Sequence, residues 1–273
     1  KREIPYLRQH KGTRARFSFS TTATELWRAL KNRQFALLFT IVLVSSAISG
    51  TTTNLGIYMT TFFWGFETED LRWFAISAIG AVLAFPLVSY FQQNWDKRDI
   101  LIVTAAVSVL DGVCIVSLRF LDVLPDNGDP MLLIILVSVG VFSAGIAVVQ
   151  GIISASLIAD TLDDHELRTG YRQEAMFNAA LSFSGKAISG VGIMMGGLVL
   201  TLIKFPTDVL PSEIPATTIT HLGITVGVVV PMLHFIPIYL ITRYKITRKA
   251  YANIRAKLDQ RYAETLSSSQ RSS

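Results

Sequence analysis

Long apolar runs separated by short polar clusters dominate the chain between residues 35 and 243. A helix needs about 20 apolar residues to cross a bilayer core about 30 Å thick. In lipid a segment must satisfy its own backbone hydrogen bonds, and these runs are too long and too evenly apolar for barrel strands. The sequence therefore predicts an all-α membrane protein with a bundle of six transmembrane helices, at about 35–62, 71–93, 100–120, 131–159, 174–203 and 219–243.

The basic residues fall on alternate connections between these predicted helices. All but four of the 25 Lys and Arg residues lie in residues 1–34, in the second and fourth connections, or in the tail from Arg243. The remaining connections are mainly acidic. Because the cytoplasmic flanks of membrane helices are enriched in Lys and Arg, both termini are predicted to be cytoplasmic. Residues 1–34 then form a cytoplasmic segment, and residues 244–273 form a basic cytoplasmic tail.

The tail itself has the periodicity of a helix. Apolar or aromatic residues recur near every fourth position, among Lys and Arg residues, at Ile246, Ala250, Ile254, Leu258 and Tyr262. Such a basic amphipathic helix is predicted to lie on a surface of anionic lipid.

Composition excludes several other classes of protein. Hydrophobic residues make up 51% of the chain and charged residues 16%, and the net charge of +5 comes from bases beside apolar runs rather than from a nucleic-acid-binding patch. One cysteine, Cys114, permits no internal disulfide, and the four histidines match no zinc motif, so no metal site is expected in this chain. Paired carboxylates, a nucleophile elbow and a phosphate loop are not found at the predicted helix ends, which argues against an enzyme.

A polar stripe crosses the fifth predicted helix. Asn178, Ser182, Lys186 and Ser189 stand at positions i, i+4, i+8 and i+11, on one helix face. A charge in a bilayer core costs roughly 2.5–3.5 kcal/mol on insertion scales, so Lys186 is expected to face a hydrated pathway or an ionic partner. On the same helix, glycines at 192 and 196 form a GxxxG pair, which is suited to close helix packing.

Other polar residues within the spans are candidates for a substrate or cation pathway. Asp111 lies near the middle of the third helix, where it could bind a cation or proton, or pair with Lys186. Gln150 lies in the glycine-rich fourth helix. The first helix carries Asn54 and Tyr58 among many hydroxyl residues, a composition suited to hydrogen bonding with a polyol. Three prolines in the second and sixth spans are expected to kink their helices: Pro86, Pro231 and Pro237.

The fourth connection and the helix after it carry a more specific pattern. An Ala-Asp-x-x-Asp segment contains Asp160 and Asp163, an Arg-x-Glu motif contains Arg172 and Glu174, and Lys186 follows within the next helix. This pattern resembles that of the glycoside–pentoside–hexuronide:cation symporters, the melibiose-permease-like branch of the major facilitator superfamily.

The resemblance implies that the chain is the C-terminal half of such a protein, with its helices seven to twelve. It implies symport of a sugar or glycoside with Na⁺, H⁺ or Li⁺, without a cofactor, in the bilayer of a bacterial inner membrane. In that family the cation-site aspartates lie in the N-terminal half, which is the missing partner here, and Lys186 corresponds to a lysine near that site.

A six-helix half would work as one rocking bundle of an alternating-access carrier. Asp160, Asp163, Arg172 and Glu174 are hypothesised to form a cytoplasmic gate through ion pairs with the other half. Three alternatives stay open: a symporter of lysophospholipids or other amphiphiles, a stand-alone six-helix homodimeric carrier, and a membrane enzyme or receptor without transport. The chain starts at Lys1 with a long basic leader, which disfavours the stand-alone carrier.

Overall fold

The structure is a computed structural model that describes residue 30 and residues 32–170, 174–206 and 214–271. Within these ranges every regular element is helical, and six helices are long and apolar enough to cross a membrane. We label them and the helix that follows as α1 (Arg33–Phe63), α2 (Thr68–Asn94), α3 (Lys97–Phe120), α4 (Pro130–Thr169), α5 (Glu174–Leu202), α6 (Ala216–Thr242) and α7 (Arg248–Arg271). The predicted six-helix membrane fold is confirmed. Most of the predicted segment 1–34 lies outside the described residues.

Helix α4 is longer than its apolar run. It begins at Pro130, where the Asp129 side chain accepts a hydrogen bond from the backbone N–H of Met131, and it ends at Gly170, whose φ is 78°. Its 40 residues span about 60 Å, twice the thickness of a bilayer core. The predicted end at residue 159 is wrong because the last turns are polar, and hydropathy does not detect a helix that continues beyond the lipid.

The bundle is held together by close contacts between pairs of helices. α1 packs along α5, α2 and α3 both pack on α4, and α6 packs on α3 and α1. The predicted GxxxG packing is confirmed, since a Cβ atom at Gly192 would lie 2.2 Å from the carbonyl oxygen of Ala47. The Thr51 hydroxyl donates a 2.9 Å hydrogen bond to the carbonyl of Gly192 across the same contact. A similar approach joins α2 to α4 at Gly80.

Helix α6 is irregular, whereas α2 is continuous through Pro86. In α6 a π-helical stretch, Thr225–Val229, is followed by one short helical turn with Pro231 and by a break at His234. Proline has no backbone N–H, and Pro231 and Pro237 flank this break. The last span is therefore an interrupted helix rather than one regular α-helix.

Helix α7 packs on the protein rather than on lipid through its apolar face. Leu258 is only 1% exposed, and Tyr251 and Ile254 contact a core cluster built from α1, α2, α3, α4 and α6. The predicted surface-lying lipid helix is therefore corrected: the periodic apolar residues of the tail contact the extended end of α4. We refer to this end of the bundle as the α7 end.

Candidate functional site

Hydroxyl side chains gather around a cavity between α1, α3, α4 and α6. The cavity has a volume of about 340 Å³, and Ser45, Ser49 and Ser154 line it together with Gln150. The Gln150 amide donates a 3.1 Å hydrogen bond to the hydroxyl of Ser108, which fixes the orientation of the amide. The predicted pathway residue Gln150 therefore lines a cavity between helices of the bundle, with serine hydroxyls among its mainly apolar lining residues.

An open groove of about 320 Å³ adjoins this cavity between α1, α4 and α5. Ser45, Ser49 and Ser154 line both spaces, and Ser46 and Ser189 line the groove alone. We call the combined space the serine cavity. Its volume matches that of small-molecule sites, and its hydroxyls can both donate to and accept from a polyol.

The predicted stripe of α5 borders the serine cavity. Asn178, Ser182 and Lys186 are exposed, and Ser189, one turn after the lysine, lines the groove. Gly185 packs against the Ser46 hydroxyl, so Lys186 lies at the depth of the serines. Its role in the pathway remains a prediction.

The alternative ion pair between Lys186 and Asp111 is not formed. Within the described ranges no carboxylate makes an ion pair with Lys186. Asp111 instead accepts a short hydrogen bond from the hydroxyl of Ser143, in a second cavity of about 330 Å³. We call this space the Asp111 cavity. His234 lines both the Asp111 cavity and the serine cavity.

Asn54 and Tyr58 do not line the serine cavity, and their place in a substrate pathway stays a prediction. Asn54 packs against Gly196 of α5, and its side-chain oxygen is buried with no hydrogen-bond partner among the described residues. The Tyr58 ring contacts the ring of Phe205 edge-on, with the centroids 5.3 Å apart. Both positions serve the packing of α1.

The predicted gate carboxylates pair within this half of the protein. Asp160 is 4% exposed and its two oxygens accept 2.8 and 2.7 Å hydrogen bonds from Lys97 Nζ. Asp163 accepts a 2.9 Å hydrogen bond from the Tyr251 hydroxyl and lies 3.7 Å from Arg255. Both carboxylates are buried at the α7 end, and their pairing with the other half stays a prediction.

Two members of the predicted gate are not covered by these observations. Arg172 lies outside the described residues, and the side chain of Glu174 does as well. Their place in a gate stays a prediction.

The aromatic residues of the α7 end share this polar network. The Lys97 ammonium lies 5.0 Å from the centre of the Tyr251 ring. Burial, together with the hydrogen bond donated to Asp163, raises the pKa of Tyr251 to about 12. Burial likewise raises the pKa of Tyr244, whose hydroxyl lies 3.0 Å from that of Thr161. Both phenols therefore stay neutral and act as hydrogen-bond partners at physiological pH.

Sequence reasoning missed His234. The search for a zinc motif dismissed the histidines, yet His234 interrupts an apolar run near the end of the last span. An ionisable residue inside a span is a functional candidate by default, so this rule applied to histidine would have found it. In the part of the chain that the structure describes, no three His, Cys, Asp or Glu side chains come together as metal ligands.

Comparisons with known proteins agree with this architecture. A family model described as MFS/sugar transport protein matches residues 1–248. The chain is also similar to the uncharacterized symporter YnaJ of Bacillus subtilis (strain 168), with 26% identity over 234 residues. That match covers 84% of this chain and 47% of the relative, so the chain spans about half the length of the curated relative.

Proposed function

Because the chain belongs to the MFS/sugar transport protein family, it is a membrane transporter rather than an enzyme, and we propose that it forms the C-terminal half of a sugar or glycoside symporter. The observation that carries this proposal is the serine cavity, because hydroxyl groups around a space of this size suit a polyol. The coupling ion is Na⁺, H⁺ or Li⁺.

The groove of the serine cavity suggests how a second half would complete the site. It opens between α1, α4 and α5, so a second six-helix bundle seated there would enclose the substrate between two halves. Alternating access then follows from rocking one bundle against the other around a fixed site. The relative of about twice the length supports such a second half.

The direction of the bundle follows from its charges. The α7 end carries Lys97, Arg98 and Arg248, and by the positive-inside rule this end faces the cytoplasm of a bacterial inner membrane. The serine lining also favours a sugar over a lysophospholipid, because an acyl chain would leave these hydroxyls without hydrogen-bond partners.

The serine cavity can be tested by removing two hydroxyls from the complete transporter. We expect the double variant Ser49→Ala with Ser154→Ala to raise the KM for the transported sugar about thirtyfold, since each of the two lost hydrogen bonds costs about 1 kcal/mol. The measurement is uptake into proteoliposomes across a panel of sugars, under Na⁺, Li⁺ or H⁺ gradients.

A matched control is Ser138→Ala, which removes a hydroxyl of α4 that is exposed and bonds its own helix at Ile134. This variant should transport as the wild type does. Equal KM values in the double variant and the control, for every transported sugar, would rule out the serine cavity as the substrate site.

Lys186 is proposed as a coupling residue at the border of that cavity. We expect Lys186→Ala to lose gradient-driven accumulation of sugar while it retains counterflow of labelled sugar, because substrate binding and ion coupling use different groups. The matched control is Lys249→Ala, an exposed lysine on α7. Accumulation at the wild-type level in Lys186→Ala would contradict the role.

A further inference from the structure

We propose that Asp111, Ser143 and His234 form a proton-binding site inside this half of the transporter. This inference rests on the proposed symport and deepens it, because it names the coupling ion and places an ion site in the half that the chain represents. The site is the Asp111 cavity, which is separate from the Lys186 border of α5.

Asp111 has a neutral hydrogen-bond partner and no countercharge among the residues that line its cavity. One of its oxygens accepts the hydroxyl hydrogen of Ser143, while the rest of the cavity wall contributes Thr52, Met59 and Leu136 among its residues. Asp, Glu and His side chains inside membrane spans recur as proton carriers in pumps and transporters.

The titratable groups around the cavity are few. Four helices line it: α1 contributes neutral residues, α3 contributes Asp111, α4 contributes Ser143 and apolar residues, and α6 contributes His234. Among these lining residues there is no Lys, Arg or Glu. The imidazole of His234 is therefore the one lining group able to exchange a proton with Asp111.

His234 lies at the break of α6. The carbonyl groups of Val230 and Pro231 lie beside its ring. Next to Asp111, Gly112 contacts Pro231, so α3 and α6 meet at this point. Broken or π-helical segments in membrane helices recur at ion and substrate sites.

The shared position of His234 gives the proton a route. One ring nitrogen accepts an excess proton from a hydronium ion in the serine cavity, which leaves a water molecule, as the opposite ring nitrogen releases its own proton toward the carboxylate of Asp111. The imidazole ends neutral, and Asp111 gains an O–H bond. Reversal of the same steps returns the proton after the carrier has changed its facing. Hard metal cations prefer all-oxygen ligand sets, so the imidazole favours a proton over Na⁺.

The main test uses the complete transporter in proteoliposomes with Asp111→Asn and His234→Gln. We expect Asp111→Asn to keep equilibrium exchange of sugar but to lose accumulation driven by a proton gradient, so that internal and external sugar become equal. His234→Gln should lose the same accumulation, and because its side chain also lines the serine cavity, its exchange rate is not used as a readout. The pH dependence of substrate binding should disappear in Asp111→Asn. The matched control is Asp122→Asn, an exposed acid whose φ of 55° is a conformation that Asn also adopts readily.

The possible outcomes are distinguishable. Proton-driven accumulation of sugar that survives in Asp111→Asn overturns the inference. The inference is also overturned if only a Na⁺ gradient drives accumulation in the wild type and Asp111→Asn abolishes that Na⁺-driven accumulation. If the wild type exchanges no sugar, the proposed function fails instead. A second measurement then still tests the site: a carbodiimide, which modifies protonated carboxyl groups in apolar surroundings, should label Asp111 more strongly at acidic pH and leave Asp122 unlabelled. Labelling of Asp111 that does not change with pH overturns the inference.

Discussion

Replacing Gly192 with alanine is expected to destabilise the protein strongly, by about 3 kcal/mol or more. The added Cβ would lie 2.2 Å from the carbonyl oxygen of Ala47 and 2.9 Å from the backbone nitrogen of Thr51. Both atoms belong to the backbone of α1, so no side chain can rotate away and the two helices must separate. The hydrogen bond from Thr51 to Gly192 would be lost with the contact. The measurement is the thermal unfolding midpoint of the complete transporter in detergent.

The control for this prediction lies on the same helix. A Cβ at Gly197 would meet no atom within 4 Å, so Gly197→Ala should be neutral or slightly stabilising, because alanine favours a helix by about 1 kcal/mol over glycine. Identical unfolding midpoints for the two variants would show that the α1–α5 contact is not as close as described.

Lys97→Ala is expected to have the second largest effect, a destabilisation of about 3 kcal/mol. The change leaves the Asp160 carboxylate, 5% exposed as a side chain, without the ammonium that bonds both of its oxygens. Because Lys97 itself keeps 27% of its side-chain surface, water can offset part of the loss. The thermal unfolding midpoint of the protein measures this destabilisation. Limited proteolysis of α7 is a second readout, because Lys97 also contacts Tyr251 of that helix.

Two further variants separate the buried pair from charge in general. Arg98→Ala removes the next base along the chain, whose partner Asp99 is 49% exposed, and should cost less than about 1 kcal/mol. The double variant Lys97→Met with Asp160→Leu should recover most of the stability, because a hydrophobic pair replaces a buried ionic one. A double variant that is no more stable than Lys97→Ala would mean that Asp160 has a role beyond pairing with Lys97.

The membrane explains why so much of the fold could be predicted from the sequence. A bilayer restricts a spanning segment to one regular structure of nearly fixed length, so six apolar runs predict six helices. The polar end of α4 and the docking of α7 were not predictable in the same way. Both features depend on contacts made outside the lipid, about which hydropathy carries no information. One example is the hydrogen bond between Asp160 and Lys97, which are 63 positions apart in the sequence.

The site could be predicted only in part, for a related reason. Gln150 and Asp111 stand out because polar groups are rare in spans, and the structure places each in a cavity. Asn54 has the same signature but packs against a glycine, since helix rotation decides which polar groups face a cavity. The partners of Asp160 and Asp163 within this half, Lys97 and Tyr251, were not predictable, because composition does not show which side chain reaches a buried acid.

Because α4 is long, a small tilt of this helix within the membrane would produce a larger displacement at its end. Its contact with α2 lies near Gly145, which faces Gly80, and Asp160 lies fifteen residues further along the rod, or about 23 Å. If α4 tilted by about 10° around its contact with α2, Asp160 would move sideways by about 4 Å. A displacement of this size would carry Asp160 out of hydrogen-bond range of Lys97 on α3, so a small rotation at the depth of the bilayer would be amplified into the loss of this ion pair at the α7 end.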